Sequence, residues 1–246
     1  MRKICLNLIG LIAVIVTLAG CGGSLTSPGT PDSYQVSALL VKEMATDSAR
    51  VEVTLKKNGV LYSEAYLTLR GLVLTGDSTG YRRTFTPAQI SADTSYTLNI
   101  KDSSFLNVNL TISLPDTLSI TNPDFRYFTG GVVPVQWIGG TSGDGYILAT
   151  APPAAAPDSA DGYSTYTLSN SGNIPTTAFM YNATDRIVGN HHIYVASYIG
   201  APVAAPALPF DLPNSGAPAA NVAVGKVTGR LAGVILSPPD SINVAN

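Results

Sequence analysis

The chain has 246 residues, 45% hydrophobic and only 12% charged, with 23 glycines, 17 prolines and a formal net charge of −2. Such apolar content excludes charge-driven disorder, and the abundance of turn formers argues for many short strands. The charge is weakly acidic and the basic pairs Lys56-Lys57 and Arg82-Arg83 stand isolated beside turns, so no nucleic-acid footprint and no strong pull toward an anionic membrane is written in the composition.

In chain order, Arg2 and Lys3 form a short positive end, Ile4 to Ala19 form a 16-residue apolar run, and Gly20 follows. This is the layout of a secretory signal peptide over residues 1–20, and the run falls short of the roughly 20 residues a spanning helix needs. The two cysteines are Cys5 and Cys21. Cys5 leaves with the signal, and a chain left with one cysteine forms no internal disulfide. Leu18-Ala19-Gly20-Cys21 resembles the lipobox of bacterial lipoproteins at every position. The resemblance implies cleavage between Gly20 and Cys21, a diacylglyceryl group on the Cys21 thiol and acylation of the new amino group. Two or more acyl chains give a firm anchor where one gives a marginal one. In such lipoproteins an aspartate after the cysteine retains the protein at the inner membrane. Gly22 stands there instead, which implies the outer membrane. Residues 21–34 are small, polar and proline-broken, the composition of a flexible tether.

From there the pattern is strict alternation, predicting an all-β chain of two β-sandwich modules, 35–116 and 117–246. In the first, Val51, Val53 and Leu55 alternate with Glu52 and Thr54, and Asn58-Gly59 supplies a hairpin turn. The return places Leu61, Ala65, Leu67 and Leu69 on one face, with Tyr62, Glu64, Tyr66, Thr68 and Arg70 on the other. Thr86-Pro87 opens a short helical turn, and 96–100 and 107–114 alternate again. The second module carries a Pro-Asp turn, a glycine pair and a strand containing Trp137. Pro123, Gly130, Val133, Val135 and Trp137 resemble the opening of immunoglobulin-like or fibronectin type III-like surface domains, which implies that class of sandwich. Further strands are predicted at 145–150, 163–168, 176–181 and 191–199. The Ala/Pro stretches 151–157 and 201–220 cannot supply sheet ladders and read as semi-rigid loops or linkers. The segment 221–236, apolar and β-like with frequent glycines, either returns to the sandwich as an edge strand or pairs elsewhere.

Few residues invite chemistry. His191 and His192 are the only histidines, and adjacent strand residues point to opposite faces, so one ring is expected packed and the other wet. No Gly-x-Ser-x-Gly elbow occurs, and the three glutamates, Glu43, Glu52 and Glu64, form no assignable acid–base pair. The chain is therefore not expected to be an enzyme, and no cofactor is implied. Asp144, Asp158 and Asp161 lie in turn-rich loops of the kind that recruit calcium, although Asp-Gly is first a turn signal. Tyr62 and Tyr66 are the best candidates for a stacking face toward a glycan or a partner protein. The functional expectation is a lipid-anchored cell-envelope protein with a non-catalytic binding, adhesion or structural role. Its partners would be the membrane, through the anchor, and an envelope protein or glycan. A carbohydrate-binding accessory lipoprotein of a glycan or nutrient-uptake system is the alternative.

Overall fold

The computed structural model describes residues 32–102, 106–121, 130–154, 162–182 and 184–245. Gly20, Cys21, Pro123, Asp158 and Asp161 lie outside the described residues. The chain divides into Met1–Asp32 and Ser33–Asn246, and the second is one compact unit. Its first half contains β1 (Tyr34–Glu43), β2 (Ala49–Lys57), β3 (Val60–Leu61), β4 (Tyr66–Leu69), β5 (Leu72–Val73), β6 (Thr75–Asp77), β7 (Gly80–Phe85), β8 (Ser95–Lys101) and β9 (Asn107–Ser113). The second contains β10 (Leu118–Ile120), β11 (Val133–Gly139), β12 (Gly145–Ala151), β13 (Ser164–Thr167), β14 (Ser171–Ile174), β15 (Gly189–Gly200), β16 (Val222–Val224), β17 (Val227–Leu236) and β18 (Asp240–Val244).

The all-β expectation holds, and the strands stack as sheets face to face. One large sheet runs β13-β12-β15-β17-β1-β2-β7-β6, with β16, β18 and β3 at its margins. Two small sheets, β5-β4-β8-β9 and β10-β11-β14, come from the first and second halves respectively. Alternation explains the packing. Val36, Ala38 and Leu40 of β1, Val51, Val53 and Leu55 of β2, and Ile193 and Val195 of β15 are buried in one core cluster. Leu67, Leu98, Ile112 and Trp137 of the small sheets belong to the same cluster.

The division expected between 116 and 117 differs from what the chain builds. Each half brings its own small sheet, but the halves share the large sheet and the core. The join is β17, which pairs parallel with β1 from Tyr34↔Val227 to Glu43↔Leu236 and antiparallel with β15 from Ala196↔Leu236 to Gly200↔Ala232. The glycine-rich segment, expected at an edge or paired elsewhere, is thus central. Its glycines sit where backbones approach closely: a Cβ on Gly229 would lie 1.8 Å from the Val36 carbonyl oxygen, and one on Gly233 2.1 Å from that of Ser113. Beyond β17, Pro238 and Pro239 have no N–H to donate. The ladder to β15 is carried past them by Ser237, whose N–H donates to the Val195 carbonyl while its Oγ accepts from the Val195 N–H at 3.1 Å.

The stretch 201–220 forms no strand, as its composition predicts, yet it is not a bare linker. Leu39, Val41, Ile147, Ala149, Ala196, Tyr198, Ala232 and Val234 point away from the main core on the opposite face of the large sheet. Ala207 and Leu208 are buried against them, with Val203, Phe210 and Leu212 partly so. Strands covered on both faces read as continuous apolar runs, which is the pattern of SALLV in β1 and YILATA in β12. Two smaller expectations also change. The chain leaves strand geometry between Leu61 and Tyr66 as it crosses from the large sheet to a small one. Residues 176–179 form a 3-10 turn in place of a strand.

Candidate functional site

The base of the body, where the chain enters from its amino-terminal segment, is built from turns distant in sequence. Asn58 and Gly59 adopt positive φ (53° and 83°) and close the β2–β3 hairpin, as the Asn-Gly signal predicts. Asn58 then clamps the entering chain: its N–H donates to the Ser33 carbonyl at 2.8 Å and its Oδ1 accepts from the Ser33 N–H at 2.9 Å. The Tyr34 N–H donates to the Lys226 carbonyl in the β16–β17 turn.

Around this clamp lies a polar cluster centred on Asp102, whose side chain is only 3% exposed. The Tyr34 hydroxyl donates to Asp102 Oδ2 at 2.9 Å, the Tyr62 hydroxyl donates to Oδ1 at 2.8 Å, and Lys57 Nζ lies 3.5 Å from Oδ2. The Lys57 ammonium also sits over both phenol rings, 5.5 and 5.2 Å from their centroids. Burial first, and the hydrogen bond to Asp102 second, push the Tyr62 phenol up to about 12 and raise that of Tyr34. Both tyrosines are thereby held neutral as donors. Among the described residues the Asp102 charge is taken up by Tyr34, Tyr62 and Lys57, an arrangement that ties three elements together.

A second candidate is a groove of about 150 Å³ on the outer face, between the 203–206 stretch and the β6–β7 turn, lined by Ser37, Glu52, Thr54, Thr79 and Arg82. Its charges are already engaged. Glu52 pairs with Arg50 at 2.6 Å, and Arg82 pairs with Asp77 and donates to Thr79 Oγ1 at 2.8 Å. Such a lining can hydrogen-bond a small polar molecule but holds no acid–base pair for hydrolysis.

The residues singled out from sequence fall as follows. Tyr62 is half-buried in the Asp102 cluster, whereas Tyr66 is 52% exposed at the start of β4 on a different sheet, so they share no strand face. The Asp144 carboxylate accepts from the Gly200 N–H at 2.7 Å, a turn-fixing role. Among the described residues, no group of three or more His, Cys, Asp or Glu side chains is placed to hold a metal ion. His191 is fully buried, its Nε2 2.8 Å from the Ile187 carbonyl and its ring edge-on to Phe179, while His192 is exposed. Burial lowers the His191 pKa. Trp137 is 1% exposed and packs edge-on against Tyr146, as a core residue. Sequence reasoning missed Asp102 altogether; its one local signal was position, at the end of a predicted strand.

No family model matches the chain, and no curated protein matches it. Among solved structures the chain is similar to the IG1+IG2 fragment of DIP-gamma, at 9% identity and a TM-score of 0.23, over 87% of this chain and 98% of that one. At that score the likeness carries no argument, and the sandwich architecture rests on the strand pairings above.

Proposed function

We propose that the chain is a bacterial lipoprotein, anchored through Cys21 in the cell envelope, with a non-catalytic binding, adhesion or structural role. The observation that carries this reading is Leu18-Ala19-Gly20-Cys21 at the end of an apolar run, in a chain with no cysteine after Cys21. The fold is in keeping with it: Ser33–Asn246 is one compact unit in itself, with Ser33 and Tyr34, the last residues of the expected 21–34 tether, already belonging to that unit. Gly22 directs the anchored protein to the outer membrane. The carbohydrate-binding alternative loses the shared tyrosine face that favoured it. The test is Cys21→Ala expressed with labelled fatty acid. The wild-type chain takes up label and is cut before residue 21, and the variant accumulates as an unlabelled precursor. Label incorporated by the variant would refute the assignment.

A further inference from the structure

Folding gathers the lysines. Of the five lysines beyond residue 33, Lys56, Lys57, Lys101 and Lys226 all lie at the base, and only Lys42 lies elsewhere. Lys56 and Lys57 end β2, Lys101 ends β8 and Lys226 sits in the β16–β17 turn. The Tyr34 and Tyr62 bonds to Asp102 place the end of β8 at this same pole. Against these four lysines stand the carboxylates of Glu64, the buried Asp102 and Asp32, next to the clamped Ser33, while the other described residues include seven basic and ten acidic ones. The body is therefore polar in charge, with one cationic end and an acidic remainder.

The same end exposes apolar side chains. Val60 is 71%, Leu61 36% and Val224 48% exposed, and Tyr66 stands beside Lys101 on the adjoining sheet. Val60 and Leu61 occupy the margin of β2 and Val224 that of β17, so they flank the order β16-β17-β1-β2-β3. With strands about 4.8 Å apart, these tips bracket roughly 19 Å of one edge. Apolar tips and a tyrosine set among lysines are the composition that partitions into a lipid interface.

The entry point fixes which surface meets this end. The eleven residues Gly22–Asp32 separate Cys21 from the clamp at Ser33. Eleven residues reach at most about 36–40 Å, and a linker of that length and small, polar composition averages about 17–20 Å. A lipid on Cys21 thus holds the base close to the bilayer that carries it, at high effective concentration.

We infer that the base is a membrane-docking surface for an anionic phospholipid leaflet, with Val60, Leu61, Val224 and Tyr66 entering the headgroup layer and Lys56, Lys101 and Lys226 pairing with lipid phosphates. This rests on the lipoprotein reading and deepens it: the body lies base-down on its own membrane and presents the acidic remainder outward. Each lysine at an anionic surface favours the docked state about fivefold, so the three exposed ones together account for on the order of a hundredfold.

The mature lipidated chain has no free thiol, so a single introduced cysteine can be labelled alone. Lipidated Ala223→Cys (base) and Thr46→Cys (opposite end, in the β1–β2 turn) are labelled with a small fluorophore. They are then reconstituted in vesicles with and without phosphatidylglycerol, and exposed to an aqueous quencher. The expected result is shielding at position 223 on anionic vesicles only, with position 46 open on both. K56Q/K101Q/K226Q should reopen position 223 while the protein still floats with the vesicles, and V60S/L61S should do so in part. Flotation with position 223 as open as position 46 overturns the docking and leaves the anchor standing. Failure of the wild-type chain to float overturns both.

Discussion

Replacing Asp102 by asparagine keeps the side-chain shape but removes the charge that Lys57 pairs with and that draws two tyrosine donors. A half-satisfied buried cluster costs more than any one of its bonds. The expected loss is about 2–3 kcal/mol, read from the denaturant midpoint. The cluster also sets a pH limit. The Tyr62 phenol is raised from 10.0 to about 12, so the fold favours the neutral form. Its contribution is whole below pH 10, drains as the pH rises toward 12, and is gone once the phenolate forms in both states. Phenolate absorbance should therefore show a tyrosine titrating late together with alkaline unfolding, and Asp102→Asn should bring that step earlier. An unchanged alkaline midpoint would deny Asp102 this role. None of this was legible in the sequence, because Tyr34 and Lys57 lie on neighbouring strands of the large sheet while Tyr62 and Asp102 follow the ends of β3 and β8. Asn58-Gly59, by contrast, was legible because its signal is local backbone geometry.

At the level of elements, the decisive strand is β17. Glycine weakens a strand interior because it has no side chain to pack. Glycine also permits a close approach, and both Gly229 and Gly233 stand against carbonyl oxygens of neighbouring segments. Gly229 has φ of 151° as well, where an L side chain is strained. Gly229→Ala should cost more than about 3 kcal/mol and give little soluble protein. Gly59→Ala, at φ of 83° but with nothing within 4 Å of the added methyl, should cost about 1 kcal/mol. Comparable losses at the two sites, by chemical denaturation, would mean that β17 does not pack as tightly as described. The Ala/Pro stretch 201–220 teaches the same lesson in reverse. Proline content correctly excluded a ladder, but only the strands' doubly apolar sequences, in SALLV and YILATA, hinted that something must cover their outer face.

For the molecule as a whole, period-two alternation was enough to announce all-β sheets, and it bounded β2, β8, β9, β12, β13 and β15 to within about two residues while leaving β1, β5, β6, β7, β14 and β18 without bounds. It could not announce that the two halves are one unit, because strand pairing between β1 and β17 leaves no local trace. One shared core predicts one cooperative transition by calorimetry, where two independent modules would give two. A chain ending at residue 220 loses β17 and with it the bridge from β1 to β15, and it should show neither that transition nor dispersed amide resonances. Two separated transitions, or a folded truncation, would restore the modular picture. The gathering of Lys56, Lys57, Lys101 and Lys226 belongs to this scale too, since pairs that look isolated along the chain become one pole in space. The parallel seam has a further consequence in time. The first strand of the body cannot take its second neighbour until the last tenth of the chain has been delivered, so contacts of the longest range must close the core. A polypeptide threaded amino terminus first through a pore would stay extensible until its carboxyl terminus cleared the channel, and would snap shut only on the far side.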